Sequence, residues 1–132
     1  MNRFRYLRDP VFLVAVALYL LNRLWWKPGF GNAWLVNWFN DGLLIPCALP
    51  VLLWIHRLAG WRPHDLPPAW GEIALHVAVW SIVCEGLGPW LFRGAVGDPL
   101  DVLAYAIGGL VAGVIWRWRR CAHRGTCLPQ PA

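Results

Sequence analysis

The sequence predicts an all-α fold, a four-helix transmembrane bundle with its N-terminus and C-terminus both cytoplasmic. Three observations carry this. Hydrophobic residues make up 58% of the 132 residues and charged residues only 14%, against about 25% charged in an ordinary soluble domain. Four apolar stretches are each near the length a bilayer core demands, about 20 residues for ~30 Å. Finally, the basic residues alternate between the two sides that such a threading creates. The composition excludes a disordered chain and argues against a soluble enzyme. Mean hydropathy is only +0.44 because eleven residues are Trp, which scores as nearly neutral.

The spans are expected at about 10–26, 33–56, 70–92 and 99–116, forming a single integral membrane domain over 1–132. A basic cytoplasmic tail follows at 117–132. The separating pieces, 27–32, 57–69 and 93–98, are short and rich in polar residues, Pro or Gly. Met1–Arg8 is basic and precedes an apolar run, as in a signal peptide. The Ala-x-Ala nearest this run, Ala15–Ala17, lies inside it, so the first span is expected to stay uncleaved.

Charge sets the predicted orientation. Nine arginines (3, 5, 8, 57, 62, 117, 119, 120 and 124) fall on the side of the termini and middle loop. Only Arg23, Lys27 and Arg93 fall on the other. That is a positive-inside pattern. It explains the net charge of +5 without nucleic acid as a partner, and it sets arginines against anionic lipid heads. Trp25, Trp26, Trp34, Trp38 and Trp90 fall near one boundary. Trp54, Trp61, Trp70, Trp116 and Trp118 fall near the other, with Trp80 mid-span. Two aromatic belts are the expected reading. The four cysteines form no disulfide framework: Cys47 and Cys84 lie in spans, Cys121 and Cys127 in the tail. Cys121, His123 and Cys127 supply only three of the roughly four ligands zinc takes, so no metal site is assigned to them.

Ionisable residues inside spans are costly and face a bundle interior or a water-filled cavity. Placed by depth, Asn22 and Arg23, Asn37, Asn40 and Asp41, Glu85, and Asp98, Asp101 and Tyr105 all fall in the outer half. Prolines mark the same level. Pro46 deprives the carbonyl of Gly42 of its helical donor, and Pro89 does the same to Glu85. Asp98-Pro99 reads as an N-cap with Pro at the first helical position. Asp101 and Tyr105 share a face with Gly108 and Gly109, and Gly109-x-x-x-Gly113 is a close-packing spacing. The candidate ligand-binding residues are therefore Arg23, Asn40, Asp41, Glu85, Arg93, Asp101 and Tyr105, with Arg23 or Arg93 expected to pair with the acids. No cofactor is implied. A divalent cation, if one binds, would take Asp41, Glu85 and Asp101. His76, with Glu72 four residues before it, belongs to the inner half.

Two stretches resemble the VanZ-like family of small bacterial membrane proteins. The first is Phe39-Asn40-Asp41-Gly42-Leu43-Leu44-Ile45-Pro46. The second runs from Glu85 to Gly113, EGLGPWLFRGAVGDPLDVLAYAIGGLVAG. Asn40, Glu85, Arg93 and Asp101 match that family's polar positions; Gly88 and Tyr105 replace its usual Gln and Asn. The chain is also similar to short bacterial proteins labelled magnesium–citrate transporters. The resemblance implies a multi-pass protein of the bacterial inner membrane with a role in the cell envelope. An outward-facing polar pocket for a membrane lipid or other envelope amphiphile is the leading expectation. The alternatives are transport of an ion or small anion, metal-assisted hydrolysis of a lipid head group, and a structural or assembly role. Four spans lack the inverted repeat of a secondary transporter, a half that a homodimer would supply. No Ser/His/Asp triad, phosphate-cradling loop or HExxH is present, so no catalytic residue is assigned.

Overall fold

The computed structural model describes residues 3–30, 38–91 and 97–124, and among them every regular element longer than one turn is helical. Helix α1 begins as Pro10–Leu21, widens through a π-helical stretch at Asn22–Trp26, and closes with Lys27–Phe30. Helix α2 is Phe39–Leu58. Helix α3 runs as Trp70–Ser81, widens at Ile82–Leu87, and ends with Gly88–Leu91. Helix α4 is Pro99–Arg124. Three of the four, α2, α3 and α4, are long and apolar enough to cross a membrane. The first helix is not among them: Asn22, Arg23 and Lys27 interrupt its apolar run. The described helix α2 starts at Phe39; the expected start of that span at Ala33, with residues 33–37, and Arg93 lie outside the described residues. Helix α4 continues through the first residues of the expected tail, to Arg124.

Both flanking helices begin with the same device. Asp9 accepts the N–H of Val11 at 2.9 Å, with Pro10 at the first helical position. Asp98 accepts the N–H of Leu100 at 2.9 Å, ahead of Pro99. A short acceptor satisfies a donor the first turn leaves orphaned, and Pro has none to satisfy.

The two π stretches have a common cause. Pro28 follows the first and Pro89 the second. A proline ring clashes with the carbonyl four residues back, and one wide turn ahead of it carries the misfit. Lys27 donates to the carbonyl of Asn22, and Gly88 to that of Val83, each five residues back.

Helices α2 and α4 form the central pair, with α1 laid against α2 and α3 against α4. The core is Ile45, Leu49 and Leu53 of α2, Ile73 of α3, Tyr105, Ala112 and Trp116 of α4, and Phe4 and Tyr6 of the N-terminal segment. Outward faces carry exposed apolar side chains such as Val14, Leu75, Leu103 and Val111, the surface a helix shows to acyl chains. Small residues set the central contact. A Cβ at position 108 would overlap the carbonyl oxygen of Gly42, the carbonyl that Pro46 deprives of its donor. Gly97 treats Glu85 in the same way: a Cβ there would stand 2.7 Å from the Glu85 carbonyl oxygen. Gly109 and Gly113 seat Ile73 and Trp70 of α3, the packing role their spacing predicts.

The arginine-rich end is tied by a latch. Arg62, only 4% exposed, donates to both carboxylate oxygens of Glu72 at 2.9 and 3.2 Å, to the Tyr6 hydroxyl at 3.0 Å, and to the carbonyls of His64 and Leu66 at 3.0 and 2.7 Å. Burial works against its charge, but the hydrogen bonds to Glu72 and Tyr6 outweigh it and raise its pKa. Tyr6 also donates to Asp65 at 3.0 Å, and the Phe4 N–H to the Asp65 carbonyl at 2.7 Å. Arg57 and Arg3 pair with Asp65 at 3.0 and 3.7 Å. Asp9 accepts from the indole of Trp116 at 2.8 Å and from Arg119 at 2.9 Å. Trp116 is therefore buried core, not the belt residue the sequence suggests. Trp61, Trp118 and Trp90 are exposed as a belt requires. His76 bonds the backbone carbonyl of Glu72 at 2.6 Å, because Arg62 occupies the carboxylate.

Two outcomes are expected. Gly108→Ala will lower the stability of the detergent-solubilised protein by about 1–3 kcal/mol, the cost of overpacking. Gly86→Ala, where a Cβ meets nothing within 4 Å, will not; thermal unfolding followed by circular dichroism compares them. The hydrogen bond from Tyr6, with Arg57 and Arg3 nearby, holds the Asp65 carboxyl below its usual range. Its contribution is thus full above the unfolded-state aspartate pKa, about 4, and is lost as pH falls through the lower folded value. The stability gap between wild type and Asp65→Asn will be constant above that pH and will close below it.

Candidate functional site

At the arginine-poor end the polar residues of all four helices come together. Asn22 of α1 is fully buried and donates its amide to the side-chain oxygen of Asn40 on α2 at 2.9 Å. Glu85 joins α3 to α4: one carboxylate oxygen accepts the Tyr105 hydroxyl at 2.8 Å, the other the backbone N–H of Asp98 at 2.7 Å. Tyr105 is buried. Asp41 feels the charges of Glu85 and Lys27, and Asp101 those of Asp41, Glu85 and Asp98. Cys84, on the wide turn beside Glu85, sits within the same group and feels the charges of Glu85, Asp41 and Asp101.

Local sequence explains each placement. The wide turn at Ile82–Leu87 swings Glu85 toward the start of α4, where the Asp98-Pro99 cap presents a free N–H. Asp101 and Tyr105, four residues apart, share the face that Gly108 draws against α2. The wide turn of α1 begins at Asn22 and places its amide opposite Asn40. Wide turns of this kind are frequent at functional sites.

Of the residues proposed from sequence, Asn40, Asp41, Glu85, Asp101 and Tyr105 gather here. Arg23 does not: its side chain is exposed and no acid among the described residues lies within ion-pairing distance. Lys27, one turn on, is the cation whose charge reaches Asp41. Arg93 lies outside the described residues. Nor do the proline-freed carbonyls of Gly42 and Glu85 face a ligand; Gly108 and Gly97 cover them. Among the described residues, no three His, Cys, Asp or Glu side chains are grouped to hold a metal ion. Asp41, Glu85 and Asp101 influence one another without forming a ligand set, since Glu85 is committed to Tyr105 and Asp98. Of the tail trio, Cys121 is a half-buried free thiol, and the side chains of His123 and Cys127 fall outside the described residues.

An apolar groove of about 670 Å³ adjoins this cluster. It runs between α1 and α4, which barely touch, over a floor of Gly42, Pro46, Gly108 and Ala112. Its upper end is Trp38, Phe39 and Gly42, the sequence neighbours of Asn40 and Asp41; Pro10 and Arg119 line the lower end. The Trp38 indole N–H is buried with no acceptor among the described residues. Neither the groove nor Asn22 as the partner of Asn40 is legible in the sequence, which gives no relation between neighbouring helices.

Tyr105→Phe will leave one oxygen of Glu85 without its donor and cost about 1–3 kcal/mol of stability. In the Tyr105→Phe/Glu85→Gln cycle, unfolding midpoints will show non-additivity, as expected for residues in direct contact.

In comparisons with known proteins, no family model, no curated protein and no solved structure matched the chain.

Proposed function

We propose that the chain is a VanZ-like integral membrane protein of the bacterial cell envelope that binds an envelope amphiphile at its arginine-poor end. One observation carries the reading: the apolar groove ends at Trp38, Phe39 and Gly42, on the first turn of α2 that also carries Asn40 and Asp41. Its volume, about 670 Å³, lies within the ~300–1,000 Å³ of small-molecule sites. A hydrocarbon tail fits the groove and a polar head reaches the cluster above it.

The chemistry of the cluster narrows the head group. Among the described residues, Lys27 is the cation whose charge reaches Asp41, and Arg23 is exposed with no acid within ion-pairing distance. Carboxylates accept hydrogen bonds and attract cations. A head rich in hydroxyl or ammonium donors therefore suits the site better than a bare phosphate. The spare donor of Trp38 suits an ester or amide carbonyl at the junction of head and tail. The nine-to-three split of basic residues supports a periplasmic or extracellular opening for the cluster.

The test is purification in native lipid, followed by mass spectrometry of what co-purifies. Wild type will retain a species that Val111→Trp, which fills the groove from its exposed wall, and Asp41→Asn both lose while staying folded. Retention of the same molecules by both variants would overturn the reading.

A further inference from the structure

The opposite end of the groove leads into a second cavity, of about 920 Å³. The two share Pro10 and Arg119 as lining residues. Five arginines line the second: Arg3, Arg5 and Arg8 from the N-terminal segment, and Arg119 and Arg120 from α4. Its acids are already occupied. Asp9 is bonded to Trp116 and Arg119, and Asp65 to Tyr6, Arg57 and Arg3. Among the described residues no acid lies within ion-pairing distance of Arg5, Arg8 or Arg120.

A general cytoplasmic bias of basic residues would scatter such charges over a surface. Here they converge because the N-terminal segment is held in place. Phe4 and Tyr6 are buried against Trp116, Tyr6 is held by Arg62 and Asp65, and Asp9 caps α1 while gripping α4. The odd-numbered Arg3 and Arg5, flanking buried Phe4, and Arg8 beyond Tyr6 are thereby left to face the end of α4.

We propose that this basic cleft is a binding site for an anionic glycerophospholipid of the arginine-side leaflet. The phosphodiester sits among Arg5, Arg8 and Arg120, and an acyl chain enters the near end of the groove past Pro10, along Val11 and Ile115. Charge complementarity selects the head and the shared mouth selects a lipid over a free anion. The inference does not depend on which head group occupies the far end.

Native mass spectrometry of the full chain in neutral detergent provides the test, titrating phosphatidylglycerol against phosphatidylcholine of identical chains. Wild type will prefer the anionic lipid by about tenfold or more, as several arginines near one phosphate predict. The preference will fall to near unity in Arg5→Gln/Arg8→Gln and drop several-fold in Arg120→Gln. It will persist in Arg117→Gln, which removes a neighbouring charge that instead lies over the Trp70 ring. Helical content and unfolding midpoint verify that each variant is folded. Equal binding of both lipids by wild type, an undiminished preference in both cleft variants, or an equal loss in Arg117→Gln overturns the proposal. So does displacement of the lipid by soluble glycerol phosphate at equal concentration, which would mark a free-phosphate site.

Discussion

A carbonyl oxygen without a donor is tolerable in water and expensive in hydrocarbon, and the packing of this protein turns on that constraint. Pro46 creates such an oxygen at Gly42 in the middle of a membrane-length helix. Gly108 answers it by bringing the backbone of α4 so close that a Cβ there would overlap that carbonyl oxygen. Helices α2 and α4 become the central pair as a consequence. Their approach buries Ile45, Leu49 and Leu53 on one side and leaves a floor of small residues on the other. Because α1 then rests on α2 and scarcely reaches α4, a groove remains over that floor. One proline and one glycine thus account for both the core and the cavity.

The same logic recurs at the helix ends. Wide turns before Pro28 and Pro89 absorb the misfit of a ring that cannot donate, and each turn aims a polar side chain inward, Asn22 in one case and Glu85 in the other. Glu85 then closes the gap between α3 and α4 through two hydrogen bonds, one to the backbone of the Asp98 cap and one to Tyr105. The polar cluster is therefore a product of local backbone geometry as much as of residue choice. It also resolves a cost: ionisable groups at membrane depth persist where they meet one another and not lipid.

The two ends differ in electrostatic character. At one, among the described residues, carboxylates outnumber cations and the groups are short-range acceptors. At the other, arginines outnumber acids, and the acids present are used to fasten the N-terminal segment to α2, α3 and α4. Arg62 is the centre of that fastening, a buried guanidinium with every direction of its fork engaged. The acid-rich end and the arginine-rich end thus lie toward opposite ends of one apolar groove.

Much of this was legible in the residues. Apolar run lengths located the helices, and Asp98-Pro99 and the glycine spacing of α4 announced a cap and a packing face because such signals act over one or two turns. Depth along each run brought Asn40, Asp41, Glu85, Asp101 and Tyr105 to one level, since rise per residue is constant in a helix. Lateral relations were not legible, because a sequence carries no record of which helices are neighbours. Only the tertiary structure decided that Arg23 faces outward while Lys27 serves Asp41, and that the freed carbonyls meet glycines. Only it made Arg62 a buried hub and Trp116 core, and opened a groove between helices that barely touch. Periodicity along a chain sets depth and face; which face meets which is a property of close packing among segments far apart in sequence, and it exists only once they have packed.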